Sequence, residues 1–481
     1  MHKINSFILK IDSSIEEANT KFINFIEDCV NEKEFKNLLQ WLSLALKLPI
    51  EDLKHDSKYF LYINYQMKKR KFNNKFNLIT IFISIPKFIL FFIWILIFRK
   101  FKKNKKKIET ELLIDDINDE QAAERFYSLK DNFNRIFYIS TCELKQKYEH
   151  INFIKYKNLS FKISKTLILF LEGLIKIFLA SIKSRANLFD ISLHLIKLSL
   201  KYESFFSLIS SDYLIQERQY NTSAIKKYIY HNHGGKILAL VQKNLPQLLG
   251  PGTFATADFF FTLGKKTDIQ AIKSGGKFKK IFPVGSLFME TAYFKQRKNP
   301  DIPVFDLLNI ASNVINFTDG TDSFYKNWYE HFRWLAKFSM DFPNLSVVIK
   351  FKKDGLISDR FMLDAIKGGK IKLIESWRSY DYALKAKAVC AWSTTTGFEI
   401  IGYGQPCLFM DPDGKNTSFL PNDEIHRPLK ATSYNEFVEC VLDTINGKSR
   451  QLKLDKEDYC LNSEKVSEKI SFYLKKYQTN F

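Results

Sequence analysis

Residues 391–411 read AWSTTTGFEIIGYGQPCLFMD. An apolar run enters three threonines and a glycine, and a glutamate follows two residues later. Gly404 and Pro406 then lead into a second apolar run. The pattern predicts a strand, a tight turn, a short helix and another strand. On this reading Ser393, Thr394, Thr395, Thr396 and Gly397 open a helix directly after the strand AVCAW. The first N–H groups of a helix have no partner inside it, and its positive end attracts anions. A phosphate fits that position, with threonine hydroxyls as further donors, while Gly397 lets a ligand approach the backbone. Glu399, in the first turn, is placed to accept from sugar or ribose hydroxyls. The bland alternative is that the threonines cap the helix and Glu399 completes a capping box.

The alternation continues on both sides of this stretch. From about residue 301, VFDLLNIAS, LSVVIKFKK, IKLIES, AVCAW and PCLFMD read as strands separated by helical segments such as DSFYKNWYEHFRWLAKFSM. Upstream, RIFYIS, INFIKY, FFSLIS, KILALVQ, ADFFFTLG and KIFPVGS read as strands, with the long amphipathic SKTLILFLEGLIKIFLASIKS as a helix. Such alternation implies parallel α/β sheets. We therefore expect two Rossmann-like lobes, an N-terminal one over 111–290 and a C-terminal one over 291–455. GSLFMETAYFKQRKNPDIP links them, and a C-terminal helix follows over 456–481. Ligands of such sheets lie outside the carboxyl ends of the strands, which places the site in the cleft between the lobes. Residues 1–66 carry apolar positions at helical spacing and read as a helical region.

The chain has 481 residues and a net charge of +21, from 73 Lys and Arg against 52 Asp and Glu. An anionic partner is implied, and the distribution of charge selects it. Five basic residues between Lys68 and Lys75 and seven between Arg99 and Lys107 bracket the apolar stretch Phe76 to Phe98. Nucleic-acid surfaces interleave aromatic and cationic residues on one face, whereas here they are segregated, so 67–110 reads as a segment for an anionic membrane surface and nucleic acid is excluded. Pro86 breaks the helical ladder and Lys87 adds a mid-segment charge. The expectation is a hairpin that dips in at Phe76, turns at Ser84 to Lys87 and returns at Phe98. A transmembrane anchor is its rival, and a buried core helix is the structural alternative, disfavoured by the lysine tracts on both sides. Six scattered cysteines without a CxxC pair indicate a reducing compartment and no structural metal.

WSTTTGFEIIGYGQPCLFMD resembles the S-x-x-G-x-E-x-x-x-x-G-x-P segment of GT-B glycosyltransferases of bacterial surface-polysaccharide biosynthesis. VVIKFKKDG resembles the lysine-bearing strand end of those enzymes and of capsule and CDP-glycerol transferases. SGGKFKKIFPVGS, ADFFFTLGKKTDIQAI and SDYLIQERQYNTSAIKKY are similar to first-lobe elements, in the family's order, so the resemblance covers about residues 204–445. It departs twice. Phe351, Lys352 and Lys353 stand where His-Pro is usual, and Gln242, Lys243 and Asn244 stand where Gln-His-Gly is common.

The resemblance implies a metal-independent transferase needing no cofactor, with a nucleotide-sugar donor and a lipid-linked or glycan acceptor, on the cytoplasmic face of the cell membrane. It places the donor on Ser393 to Gly397, Lys350, Lys352 and the hinge residues Gly285 and Ser286, with Glu399 on its sugar or ribose hydroxyls. Arg218, Lys243 and Asn244 fall on the acceptor side. Catalytic-base candidates are Asp212, Glu217 and, as runner-up, His233; helix capping and surface ion pairs are their structural readings. Asp411-Pro412-Asp413 has the spelling of a metal motif but the position of a turn. Two readings stay open beside the glycosyltransferase. One is a polyol-phosphate transferase or sugar-nucleotide epimerase on the same fold. The other is a non-catalytic scaffold.

Overall fold

A computed structural model of the chain describes residues 15–67, 78–98, 107–117, 120–140, 152–154, 163–217, 222–243, 254–265, 267–268, 272, 275–298, 304–311, 322–351, 360–376, 378–392, 394–412, 414, 429–449, 458–461 and 465–477. Two sheets form two lobes, and every strand pairing in both is parallel.

The first sheet has seven strands in the order β3-β2-β1-β4-β5-β6-β7. They are β1 (Ile108–Ile117), β2 (Ile136–Ser140), β3 (Asn152–Ile154), β4 (Ile209–Gln216), β5 (Ile237–Val241), β6 (Thr256–Thr262) and β7 (Lys277–Pro283). The second has six in the order β10-β9-β8-β11-β12-β13. These are β8 (Phe305–Ile310), β9 (Val347–Phe351), β10 (Ile371–Glu375), β11 (Ala386–Ala391), β12 (Cys407–Met410) and β13 (Lys430–Ala431). Every residue of β5 and β6 is buried, as expected where helices cover both faces of a parallel sheet. Strand order reverses between β1 and β4 and again between β8 and β11. Those are the two switch points, where such sheets take ligands.

Three helices, α1 (Ile15–Asn31), α2 (Lys33–Leu46) and α3 (Ile50–Met67), precede the first lobe and share its core. Asp56 of α3 accepts from Ser223 Oγ (2.5 Å), Ala224 N (3.0 Å) and Ile225 N (3.1 Å), so it caps α8 (Ala224–Asn232) from outside. The α4 helix (Leu78–Phe98) runs unbroken through Pro86, which corrects the expected hairpin. The reason is packing: Ile81, Phe88 and Phe92 sit in the first-lobe core, and Asn187 Nδ2 donates to Thr80 O (3.2 Å) and Ser84 Oγ (2.9 Å). Held along one side in this way, the helix tolerates the missing proline N–H. Among the described residues, no helix is long and apolar enough to cross a membrane.

The α5 helix (Glu120–Arg125) follows β1, and α6 (Ile163–Ser184) and α7 (Phe189–Phe206) connect β3 to β4. FFSLIS is therefore not a strand. Its phenylalanines end α7, and β4 begins at Ile209 and carries Asp212 inside it. The interlobe linker contains α9 (Leu287–Lys298). The second lobe adds α10 (Asp322–Asp341), α11 (Arg360–Ala365), α12 (Ser379–Ala383), α13 (Thr395–Gly402) and α14 (Tyr434–Ile445). The last helix, α15 (Val466–Lys476), returns to the first lobe, where Val466, Ile470 and Leu474 are fully buried among β-strand residues.

Candidate functional site

The carboxyl end of β1 is irregular. Its register with β2 shifts between Ile114 and Ile117, and Asp116 has φ 68°, a left-handed conformation that costs a non-glycine residue energy. Asp115 accepts from the Asp116 N–H (2.7 Å) and forms a buried ion pair with Lys226, whose Nζ also donates to Gln216 Oε1 (2.9 Å). At the end of β4, Glu217 is 1% exposed and its Oε1 accepts from Arg125 (2.6 Å) and Lys243 (2.7 Å). Two cations thus stand against one carboxylate at the first switch point.

The second lobe meets this cluster through a stack. The Arg125 guanidinium lies 3.4 Å from the ring centre of Phe288, and Phe288 stacks on Tyr380 at 5.2 Å and 14°. Tyr380 OH donates to Glu399 Oε2 (2.7 Å), and Ser286 Oγ donates to Glu399 Oε1 (2.5 Å). Arg125 follows β1, Glu217 follows β4 and Lys243 follows β5; Ser286 and Phe288 follow β7, Tyr380 follows β10 and Glu399 follows β11. The carboxyl ends of both sheets therefore converge. Glu399 is 1% exposed. Burial raises its pKa to about 7, against the lowering effect of the Ser286 and Tyr380 bonds and of Arg125.

Several roles expected from the sequence change here. Glu399 closes no capping box: its Oε1 takes a hydroxyl from Ser286 across the lobe junction and its Oε2 takes one from Tyr380 of its own lobe. Ser286 is equally engaged, since its Oγ also accepts from Met289 N (3.3 Å) as the cap of α9. Gly285, at φ 99°, has Leu461 O only 2.6 Å from where a Cβ would sit, so the hinge requires a glycine there. At Gly397 a Cβ would meet Phe409 Cζ at 2.5 Å. That glycine lets α13 lie close on β12; it does not open the backbone to a ligand.

Thr394, Thr395 and Thr396 are partly exposed at the start of α13, and the Thr394 side chain makes no capping bond. Lys350, at the end of β9, is 2% exposed and its Nζ bonds Ser379 Oγ. Asp212 and His233 lie away from the carboxyl ends of the strands. Asp212 pairs with Lys236 (3.1 Å) inside β4, and His233 caps the C-terminus of α8 beside Glu203 (3.4 Å). These placements contradict a base role at the cleft for either residue. Arg218, Asn244, Lys352 and Ser393 fall outside the described residues. Asp411 is buried, bonded by Asn327 (3.1 Å) and paired with Lys430 (3.2 Å).

Sequence reasoning misses Arg125, Tyr380, Asp115 and Lys226. The signal available for the first is IDDI ending an apolar run, with an arginine at the end of the helix that follows.

No family model and no curated protein matches the chain. Among solved structures it is similar to S. aureus MnaA solved with UDP, at 13% identity over 77% of this chain and 98% of that one, TM-score 0.48. It is also similar to the UDP-GlcNAc 2-epimerase of Neisseria meningitidis bound to UDP-GlcNAc, at 10% identity over 77% and 100%, TM-score 0.45. A third is the wall teichoic acid polymerase TagF solved with CDPG, at 8% identity over 82% and 98%, TM-score 0.49. These similar structures are enzymes of the two-lobed GT-B fold.

Proposed function

We propose that the chain is a transferase that moves a sugar from a nucleotide-activated donor to a lipid-linked or glycan acceptor in surface-polysaccharide biosynthesis, working at the cytoplasmic face of the cell membrane. The observation that carries this reading is the convergence of two switch points on one cationic junction. Arg125 and Lys243 share a single carboxylate there, and the stack of Arg125 on Phe288 and Phe288 on Tyr380 leads to Thr396 in the first turn of α13.

Transfer from an activated donor needs stabilisation of the departing phosphate, an oriented acceptor and removal of one proton. The N-terminus of α13, with Thr394 to Thr396 and Lys350, supplies the first. Arg125 and Lys243 add cationic charge from the opposite lobe. Both cations bond the same oxygen, Glu217 Oε1. Its part in this proposal is to position Arg125 and Lys243.

Calorimetric titration with UDP-, GDP-, CDP- and CMP-sugars tests the reading. One donor class should bind the parent, and Thr395→Val and Lys350→Met should each weaken it. A lost charge-assisted bond of about 1.5–3 kcal/mol corresponds to roughly 10- to 100-fold in affinity. If no nucleotide binds the parent, the scaffold reading replaces this one. If a donor is converted with no acceptor consumed, an epimerase replaces it.

A further inference from the structure

Nine of the sixteen large apolar residues that stand exposed among the described residues lie on two adjacent helices. On α4 they are Phe82, Ile83, Leu90, Ile93 and Trp94; on α6 they are Leu171, Ile175, Leu179 and Ile182. Their exposure runs from 39% to 62%. On α6 the spacing of four, four and three keeps them on one stripe. That stripe lies opposite the buried Gly173 and Ile177, and on α4 the exposed residues lie opposite Phe88 and Phe92. The inner faces pack on each other and on the first lobe. Phe92 and Phe170 rings are 5.2 Å apart, and a Cβ on Gly173 would meet Trp41 at 3.2 Å and Phe88 at 3.3 Å. With the inner faces so committed, the outer faces lie side by side.

From this we infer that α4 and α6 together form an in-plane membrane-binding surface whose occupant is an anionic lipid leaflet. Charge selects lipid over protein. Exposed cations Lys87, Lys176, Lys183 and Arg185 belong to the two helices or their immediate end, and the chain continuing from both ends of α4 carries five and seven further Lys and Arg. On the same faces Glu172 is held by Trp41 Nε1 at 3.2 Å. A second copy of the chain laid on this face would set like charges against each other. Lysine-edged aliphatic faces of this kind seat roughly 5–10 Å into the headgroup boundary. The inference rests on the membrane clause of the proposed function and adds α6, which sequence alone did not implicate.

The test is co-sedimentation of the full chain with vesicles of phosphatidylcholine alone or mixed with phosphatidylglycerol, beside the variant Leu171→Ser/Ile175→Ser/Leu179→Ser. These side chains are exposed, so circular dichroism and donor-nucleotide binding should be unchanged. The parent should partition onto the mixed vesicles, with a blue shift of tryptophan emission that Trp94→Phe diminishes, and the triple variant should bind at least tenfold less. Equal binding by parent and triple variant overturns the α6 surface and leaves the basic tracts as the anchor. Failure of the parent to bind either vesicle overturns membrane association as a whole, while nucleotide titration decides the enzymatic reading separately. A lipid-indifferent dimer of the parent that the triple variant abolishes assigns the face to a second copy and also overturns the inference.

Discussion

Replacing Glu399 by glutamine isolates a single titrating group at the lobe junction. Burial raises this carboxyl from 4.5 to about 7, so between those values the folded chain holds a proton that the unfolded chain has released. Stability from this group is therefore complete below about pH 4.5, falls as pH rises, and levels off above about pH 7. The shift corresponds to a loss of about 3 kcal/mol across the window. Glutamine mimics the protonated acid, with one acceptor for Tyr380 and one donor for a Ser286 hydroxyl able to reverse, and it does not titrate. Urea denaturation of parent and Glu399→Gln at pH 5, 6, 7 and 8, followed by tryptophan fluorescence, reads the difference. Trp392 lies in the second-lobe core and reports on that lobe. The variant should be nearly level with the parent at pH 5 and the more stable of the two at pH 8. A difference between them that does not change with pH would refute the argument.

Gly397→Ala should cost about 1–3 kcal/mol by overpacking against Phe409, read as a lower unfolding midpoint; a variant as stable as the parent would mean α13 does not lie on β12. Asp258 behaves oppositely to Glu399. Burial opposes its ionisation, but the bond from His231 (2.8 Å), Lys227 (3.1 Å) and the Leu238 N–H (2.9 Å) outweigh it and hold its pKa below the ordinary carboxylate range. Its contribution is present above that range and lost as pH falls, so Asp258→Asn should be most costly near neutrality, with the gap closing in acid denaturation series. Glu217→Gln should weaken donor-nucleotide binding by loosening Arg125 and Lys243; a large loss of turnover at unchanged donor affinity would instead mark it as the base.

The alternation of strands and helices was legible because buried parallel strands such as ILALV and CLFM are continuous apolar runs bounded by turns. What failed was local. FFSLIS has the composition of a strand, yet its phenylalanines complete the inner face of α7, whose buried positions continue to Phe206. Tertiary packing decided it, as it did for Pro86. Asp212 was misplaced for the same reason: moving the start of β4 to Ile209 puts this residue inside the strand, and Glu217 becomes the strand-end acid. Arg125 was missed because its local signal, an arginine ending the helix after IDDI, does not say what the side chain meets. Its partners Glu217 and Phe288 lie far along the chain.

The lobe junction gives the STTTGFE segment a different physical meaning from the one its spelling suggests. A helix N-terminus binds phosphate through backbone N–H groups, so sequence there is constrained less by contact with a ligand than by the need to hold the helix still. Gly397 fixes the distance of α13 from β12. Glu399, close to one turn on from Thr396, fixes its rotation by taking hydroxyls from both lobes, Ser286 and Tyr380. Tyr380 in turn interacts with Thr396 at the helix start. The side chains that make the motif recognisable thus anchor the helix, and the phosphate seat proposed above would draw on the backbone N–H groups of its first turn. Loss of Glu399 should therefore loosen the relation between the lobes as well as the seat on α13, an effect that a residue binding only ribose could not produce.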